Sequence, residues 1–365
     1  MPEYKYTAYD WSTKAALLDL PLSDVSWEDP LNSGGPLTAS LSLDSRPADR
    51  LDATDPARTL LCVDRDGVIV WGGWNWGRIW DKDSRKLKLT SSQFDTYFLR
   101  RILRANLDYV NVDQFAIADA LITYAQGISG GNVGLILGSN GTSGILRERH
   151  YVASEGKFIG NLLRELAEVE NGFDFSFDVQ YDVNGKPAFT FNKFYPQRGA
   201  TKAGTSVIFE YPGNILSYSW PEDGTEKSNY MYEIGGQPEG TDSGNSGPIV
   251  ASADDAADRP VYPLLESLRT LSDVSVVSTL QAYANEDLRL RKKPVTVPEI
   301  KVRGDVPPIY GTFLTGDWCI INITDERFPE KSDGSPGLTA YARIINQKVK
   351  PRTTEEITIV LDAAQ

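Results

Sequence analysis

A chain of 365 residues with 41% hydrophobic side chains is long enough for two or three domains and apolar enough to build proper cores. Its 37 Lys and Arg against 50 Asp and Glu leave a net charge of −13, which argues against a surface that grips nucleic-acid phosphates or an anionic membrane. No run approaches the ~18 apolar residues of a membrane span, MPEYKYTAYDWSTK has no signal-peptide pattern, and the two distant cysteines, Cys62 and Cys319, read as buried free thiols.

Residues 4–43 hold four short β-type runs, Tyr4 to Tyr9, Ala15 to Leu20, Asp24 to Asp29 and Pro36 to Leu43, separated by Pro, Gly, Asn and Asp. In the last, Leu37, Ala39, Leu41 and Leu43 share one face and predict a strand covering a core. The polar segment 46–57 reads as a surface connection. It leads into a three-strand meander over 58–104, the most legible stretch of the chain. Arg58 to Val63 and Val68 to Trp80 flank Asp64-Arg65-Asp66-Gly67, whose glycine suits a hairpin. After a turn at 81–84, Arg85 to Thr90 alternates charged and apolar residues. This makes about seven strands in roughly the first 95 residues, most economically closed as a small antiparallel barrel.

The period then changes. With Asp113 as N-cap, Ile117, Leu121, Tyr124 and Ile128 recur at helical spacing, and residues 158–169 repeat the pattern. Phe173 to Tyr181 and Ala188 to Phe194 follow as an alternating hairpin. Strands return at VIFEY, ILSYSW and SNYMYEIGG, before a polar tract over 235–248 too poor in apolar side chains to pack alone. Pro263 to Leu271 is ambiguous between strand and helix, whereas Val276 to Lys292 is helical. Strands resume at Val295 to Val302, Trp318 to Thr324, Leu338 to Val349 and Glu356 to Leu361. The expected class is β-rich α+β: a first β-barrel over 1–110, an inserted α+β domain over 112–204 and 235–294, and a second, discontinuous barrel over 205–234 and 295–365.

No motif carries chemistry. The Gly-rich run 130–144 lacks the Lys-Ser/Thr of a P-loop, and Asp64 and Asp66 begin no complete calcium loop. His150 is the sole histidine, without a metal-ligand cluster or a nucleophile elbow. The acidic pairs Asp254-Asp255, Glu222-Asp223 and Glu355-Glu356 read as solvated faces. We therefore expect no catalytic residue, no metal and no cofactor. In the meander, Trp74, Trp76 and Trp80 fall on one face with Arg78, and Trp71 on the other, unless a bulge at Gly72-Gly73 reverses the relation. The tryptophans suit packing and subunit contact, with sugar stacking as the alternative. The basic residues here, including Arg78, Arg85 and Arg100, stand out in an acidic chain. Their simplest use is pairing with acidic surface on a neighbour. The expected assembly surface is thus Trp71, Trp74, Trp76, Arg78, Trp80, Arg85 and Arg100.

At VDRDGVIVWGGWNWGRIWD and LTSSQFDTYFLRRIL the sequence resembles the minor tail proteins of siphoviruses that infect actinobacteria. SLDSRPADRLDATDPARTLL, EGKFIGNLLRELAEVENGFDFSFDV, TGDWCIINITDERFP and YARIINQKVKP extend the resemblance over nearly the whole chain. It implies a tail-tip hub similar to the baseplate hub of contractile-tailed phages: two tube-like barrels with inserted α+β material, assembled as a homotrimer. The implied partners are the tail tube or distal tail protein, the tape measure and other minor tail or fibre proteins, with DNA only as passing cargo and no stable membrane insertion. The implied location is the virion tail tip, after synthesis in the host cytoplasm. Because the chain stops after its last strand, an appended wall-degrading module is not expected, and the protein is read as structural, not an enzyme. A wall-carbohydrate-binding tip protein is the alternative reading, and a hydrolase a more distant one.

Overall fold

The run TLLCVDR at Thr59–Arg65 lacks polar alternation, and the fold buries both of its faces. The computed structural model describes residues 2–221, 223–238, 247–292, 298–351 and 354–363. The first part of the chain gives β1 (Tyr4–Asp10), β2 (Ala16–Asp19), β3 (Ser23–Glu28), β4 (Pro36–Ser42), β5 (Thr59–Arg65), β6 (Val68–Asp81) and β7 (Lys86–Gln93). These are the seven expected strands. At the β5–β6 turn Asp66 and Gly67 both take positive φ, 54° and 87°, as the tight hairpin turn requires, and the Gly67 N–H donates to Asp64 Oδ1 at 2.7 Å. The connection 46–57 is less exposed than its composition suggests. It forms two short 3-10 turns that bury Ala48 and Ala53.

The middle comprises β8 (Leu107–Asp113), α1 (Gln114–Gly127), β9 (Leu135–Leu137), β10 (Leu146–Tyr151), α2 (Ile159–Ala167), β11 (Asp174–Tyr181) and β12 (Pro187–Phe194). Asp113 caps α1 as expected, its Oδ1 accepting from the Phe115 N–H at 2.9 Å. Within the Gly-rich run 130–144, β9 pairs in parallel with β12. Then come β13 (Ile208–Tyr211), β14 (Ile215–Ser219), β15 (Tyr230–Ile234), β16 (Val250–Asp254), β17 (Glu266–Thr270) and α3 (Val277–Arg291). The chain finishes with β18 (Glu299–Arg303), β19 (Trp318–Ile323), β20 (Leu338–Pro351) and β21 (Glu355–Ala363). The ambiguous segment is therefore the strand β17. Residues 239–246 of the polar tract, Glu222 and Pro294 lie outside the described residues.

The class is β-rich α+β, and the two strand sets are not separate bodies. A single 13-stranded sheet runs β14-β18-β21-β20-β3-β4-β7-β6-β5-β1-β2, with β19 and β13 branching from β20. The junction is short: Lys348 faces Glu28 and Val349 faces Trp27. Among the described residues no ladder closes on itself; β2 and β14 end the path. One core serves both sets, joining Leu61, Val63 and Trp71 to Phe209, Ile321 and Ile359. On the other side of β5, Leu60 and Cys62 pack with Trp74 against Leu121 of α1, Leu162 of α2 and Phe189 of β12. Cys62 and Cys319 are both buried and free.

A third core lies under α3. Tyr230–Ile234, placed by sequence with the second barrel, instead pairs antiparallel with β16 and parallel with β17 in a separate three-stranded sheet. The reason is its alternation: Met231 is buried with Leu280, Tyr283 and Ala284 of α3, so the strand's apolar side faces that helix.

Candidate assembly surface

The fourteen residues of β6 carry all the tryptophans singled out from the sequence. The strand contains two irregularities, and neither is the glycine pair. One falls at Val70, between the pairs Ile69↔Asp64 and Trp71↔Val63, and the other at Trp76, between Asn75↔Ser91 and Gly77↔Thr90. Gly72 and Gly73 pair regularly with Cys62 and Leu61. Gly73 is there for close approach: a Cβ would stand 2.1 Å from the Ser92 carbonyl oxygen.

This geometry sorts the expected interface residues. Trp71, 1% exposed, belongs to the core shared by the two strand sets, and Trp74, 3% exposed, to the core under α1 and α2. Trp74 lies 5.5 to 5.6 Å, ring centre to ring centre, from Trp76, Phe94 and Tyr97. Trp76 is half-buried; its Nε1 donates to Thr96 Oγ1 at 2.8 Å and the Arg100 guanidinium covers its ring at 4.1 Å. Arg78 is half-buried and fastens the 3-10 turn, donating to the Leu51 carbonyl at 2.7 Å and to Thr54 Oγ1 at 3.2 Å. These four residues hold the chain's own fold together. Trp80, Arg85 and Arg100 remain at the surface.

Trp80 is 50% exposed, and Ile79 beside it is 62% exposed, so the far end of β6 leaves apolar groups open on both of its faces. Sequence reasoning passed over Ile79, although its neighbour Trp80 was named; a strand end with apolar residues at consecutive positions is the signal. The surrounding cations are mostly paired within the chain. Arg85 pairs with Asp44, Lys86 with Asp24 at 2.6 Å, and Lys88 with Asp81. The hydrogen bond from Arg85 holds the Asp44 carboxyl below its ordinary range, and that from Lys88, with the Ser84 N–H, does the same for Asp81. A second open apolar surface lies on the side of the small sheet away from α3, where Tyr232, Val250 and Leu268 are 41%, 43% and 65% exposed. It was not foreseen.

The arrangement provides contacts more than chemistry. His150 stands on β10 with Nδ1 3.0 Å from Asp108 Oδ1. Among the described residues no three His, Cys, Asp or Glu side chains gather to hold a metal ion, and no helix is long and apolar enough to cross a membrane.

No protein-family model and no curated protein matches the sequence. Solved structures do match its shape over essentially the whole chain. A tail protein from Neisseria meningitidis superposes with a TM-score of 0.60 at 12% identity, covering 99% of this chain and 97% of its own. The 43 kDa tail protein of prophage MuSo2 from Shewanella oneidensis gives 0.61 at 13% identity, covering 98% of both chains. The chain has the fold of phage tail proteins. Prophage tail protein gp18 from Listeria monocytogenes shares this tail-protein fold, at a TM-score of 0.53 and 12% identity over 98% of this chain and 94% of that one. At such identities the likeness is one of architecture.

Proposed function

We propose that the chain is a structural protein of a phage tail tip and, more specifically, its central hub, a homotrimer that caps the six-fold tail tube. The observation carrying this reading is the end-to-end agreement of its fold with tail proteins, in which 97% or more of both chains takes part for the Neisseria and Shewanella structures. In this reading the role is mechanical, not enzymatic. Residues 1–110 form the first hub domain and 205–229 with 295–365 the second, while 112–204 and 230–294 form the insert. The two strand sets, joined through β3 and β20, support the reading, because three copies of a doubled unit offer six similar edges to a six-fold ring. The net charge of −13 suits passage of DNA without adhesion. The hub contacts the tape measure and holds peripheral tip or fibre proteins, with Ile79, Trp80 and the open face of β15–β17 as the contact surfaces.

Against the wall-carbohydrate alternative, Trp71 and Trp74 are core residues and Arg100 covers Trp76, which leaves Trp80 as the exposed tryptophan of β6. The test is the stoichiometry of the assembled tip. Native mass spectrometry of tail tips isolated through a tag on this chain is expected to give three copies per tip, and a single copy would overturn the reading.

A further inference from the structure

Residues 228–291, with β15, β16, β17 and α3, make a lobe with its own sheet and core; of the buried apolar residues in that core only Val169 comes from outside it. The chain enters and leaves the lobe at one place. The Ser228 N–H donates to the Arg291 carbonyl at 2.9 Å, and Lys227, just before it, pairs with Asp258 at 2.7 Å. Two crossings so close together form a hinge, since a few residues can absorb the rotation.

Polar groups hold the seam between this lobe and the rest of the insert. Lys157, in the segment before α2, reaches Glu165 of α2 at 3.1 Å and Asp273, just before α3, at 2.8 Å. The Tyr283 hydroxyl of α3 donates to the Glu165 carbonyl at 2.7 Å, and the buried Arg149 of β10 stands 5.6 Å from the centre of the Tyr283 ring. Arg269 of β17 lies 3.8 Å from Glu168, and the Asn285 amide donates to Glu170 at 3.3 Å. Tyr151 of β10 is buried near this cluster with its hydroxyl unpartnered, which costs the docked arrangement free energy. Glu155 faces Lys157 and Asp273 as well, and His150, between Arg149 and Tyr151, lies 3.0 Å from Asp108 and 3.5 Å from Glu148. Two carboxylates thus share one ammonium across a seam with little apolar contact. Interfaces so polar favour relative motion, and desolvation offsets most of what such ion pairs contribute.

We propose that residues 228–291 are a hinged lobe that docks on α2 and β10 and swings away from them, with Lys157, Glu165 and Asp273 as a latch that rising pH releases. Burial first, then the Asp273 carboxylate, pushes the Glu165 pKa up against the pull of Lys157. The docked chain therefore holds a proton on Glu165 more tightly than an open one, in which that carboxyl meets water. Docking strength from this group is complete below the ordinary glutamate value and is lost as pH rises through the raised one. Burial lowers the Lys157 pKa, but the Asp273 and Glu165 carboxylates outweigh it and hold the group above its ordinary value, so its charge persists throughout. The inference stands apart from the hub reading, which concerns the outer surfaces and stoichiometry.

Hydroxyl-radical footprinting of the full chain, read by mass spectrometry, tests it. Tyr283, 1% exposed at the seam, reports opening; Met231, 1% exposed inside the lobe, reports unfolding of the lobe itself; Tyr232, 41% exposed, serves as the reference. The Glu233→Gln chain is used, so that no titration of the buried Glu233 inside the lobe contributes. Labelling of Tyr283 relative to Tyr232 is expected to rise about threefold or more between about pH 5.5 and about pH 8.5, with Met231 still protected. Adding Glu165→Gln, which keeps the shape of the side chain but cannot titrate, is expected to flatten that rise. Constant protection of Tyr283 across the range overturns the proposal. So does a rise that survives Glu165→Gln, which would assign it to another group such as His150, or equal labelling of Met231 and Tyr283, which would mean that the lobe unfolds instead of swinging.

Discussion

Arg65 at the end of β5 and Glu355 at the start of β21 form a two-pronged ion pair, Nε to Oε1 at 2.8 Å and Nη2 to Oε2 at 2.9 Å, across 290 residues of sequence. Glu355 is 2% exposed and also accepts from the Tyr4 hydroxyl. The pair joins the first strand of the β5–β7 meander to the last strand of the chain. A lone charge left in such a place is costly, whereas an apolar pair of similar size is tolerated. Arg65→Ala should therefore cost about 3–5 kcal/mol in urea unfolding, and Arg65→Met combined with Glu355→Leu should cost less than the two single changes added together. Additivity of the two would show that the groups act separately.

The tryptophans of β6 separate into core and surface by a measurable margin. Trp74→Ala should destabilise by about 3–5 kcal/mol, because it empties the aromatic cluster with Phe94 and Tyr97. Trp80→Ala should stay within ~0.5 kcal/mol in the isolated chain yet impair incorporation into tails. A Trp80 variant that incorporates normally would remove the far end of β6 from the contact surface.

Arg78 and Arg85 should part company in the same way. Charge reversal at Arg78 breaks the hydrogen bonds that fasten Leu51 and Thr54 and should lower the melting temperature. Reversal at Arg85 loses only an exposed pair with Asp44 and should leave melting unchanged. Thermal unfolding of the two variants decides the point.

Gly73→Ala should loosen the β6–β7 pairing, since the new methyl meets the Ser92 backbone. A loss of about 1–3 kcal/mol is expected, together with faster amide exchange along β7.

The insert should respond to pH. Glu233 of β15 is fully buried without a donor, and burial first, then the Asp287 carboxylate facing it from α3, pushes its pKa up to about 7, against the opposing pull of Arg269 and Arg291. A folded-state pKa above the ordinary glutamate value means that the folded form holds the proton more tightly. Stability from this group is complete at pH below the ordinary value and is lost as pH rises through about 7. Amides of β15 should exchange faster at pH 8 than intrinsic rates predict from pH 6, and Glu233→Gln should abolish the difference.

Much of the architecture was legible in local pattern. Alternation and turn chemistry gave β4 to β7, Asp113 marked the start of α1, and the aromatic repeat gave the β11–β12 hairpin. Three things were not. Strand β9 is three residues long inside a Gly-rich run, too short for a period to appear. The junction of β3 with β20 rests on residue pairs about 320 positions apart, which leave no trace in either strand's own pattern, so one shared core looked like two. The interface residues were chosen by type, and type does not report burial: with irregularities at Val70 and Trp76 instead of Gly72-Gly73, Trp71 and Trp74 turn into different cores.

The central claim, that this chain is the hub of a tail tip, is tested most directly by cryo-electron microscopy of tailed particles purified from cells that produce it. The account predicts density for this fold in three copies around the tail axis, next to the tube. Density off the axis, in one copy, or absent from the tail would contradict it.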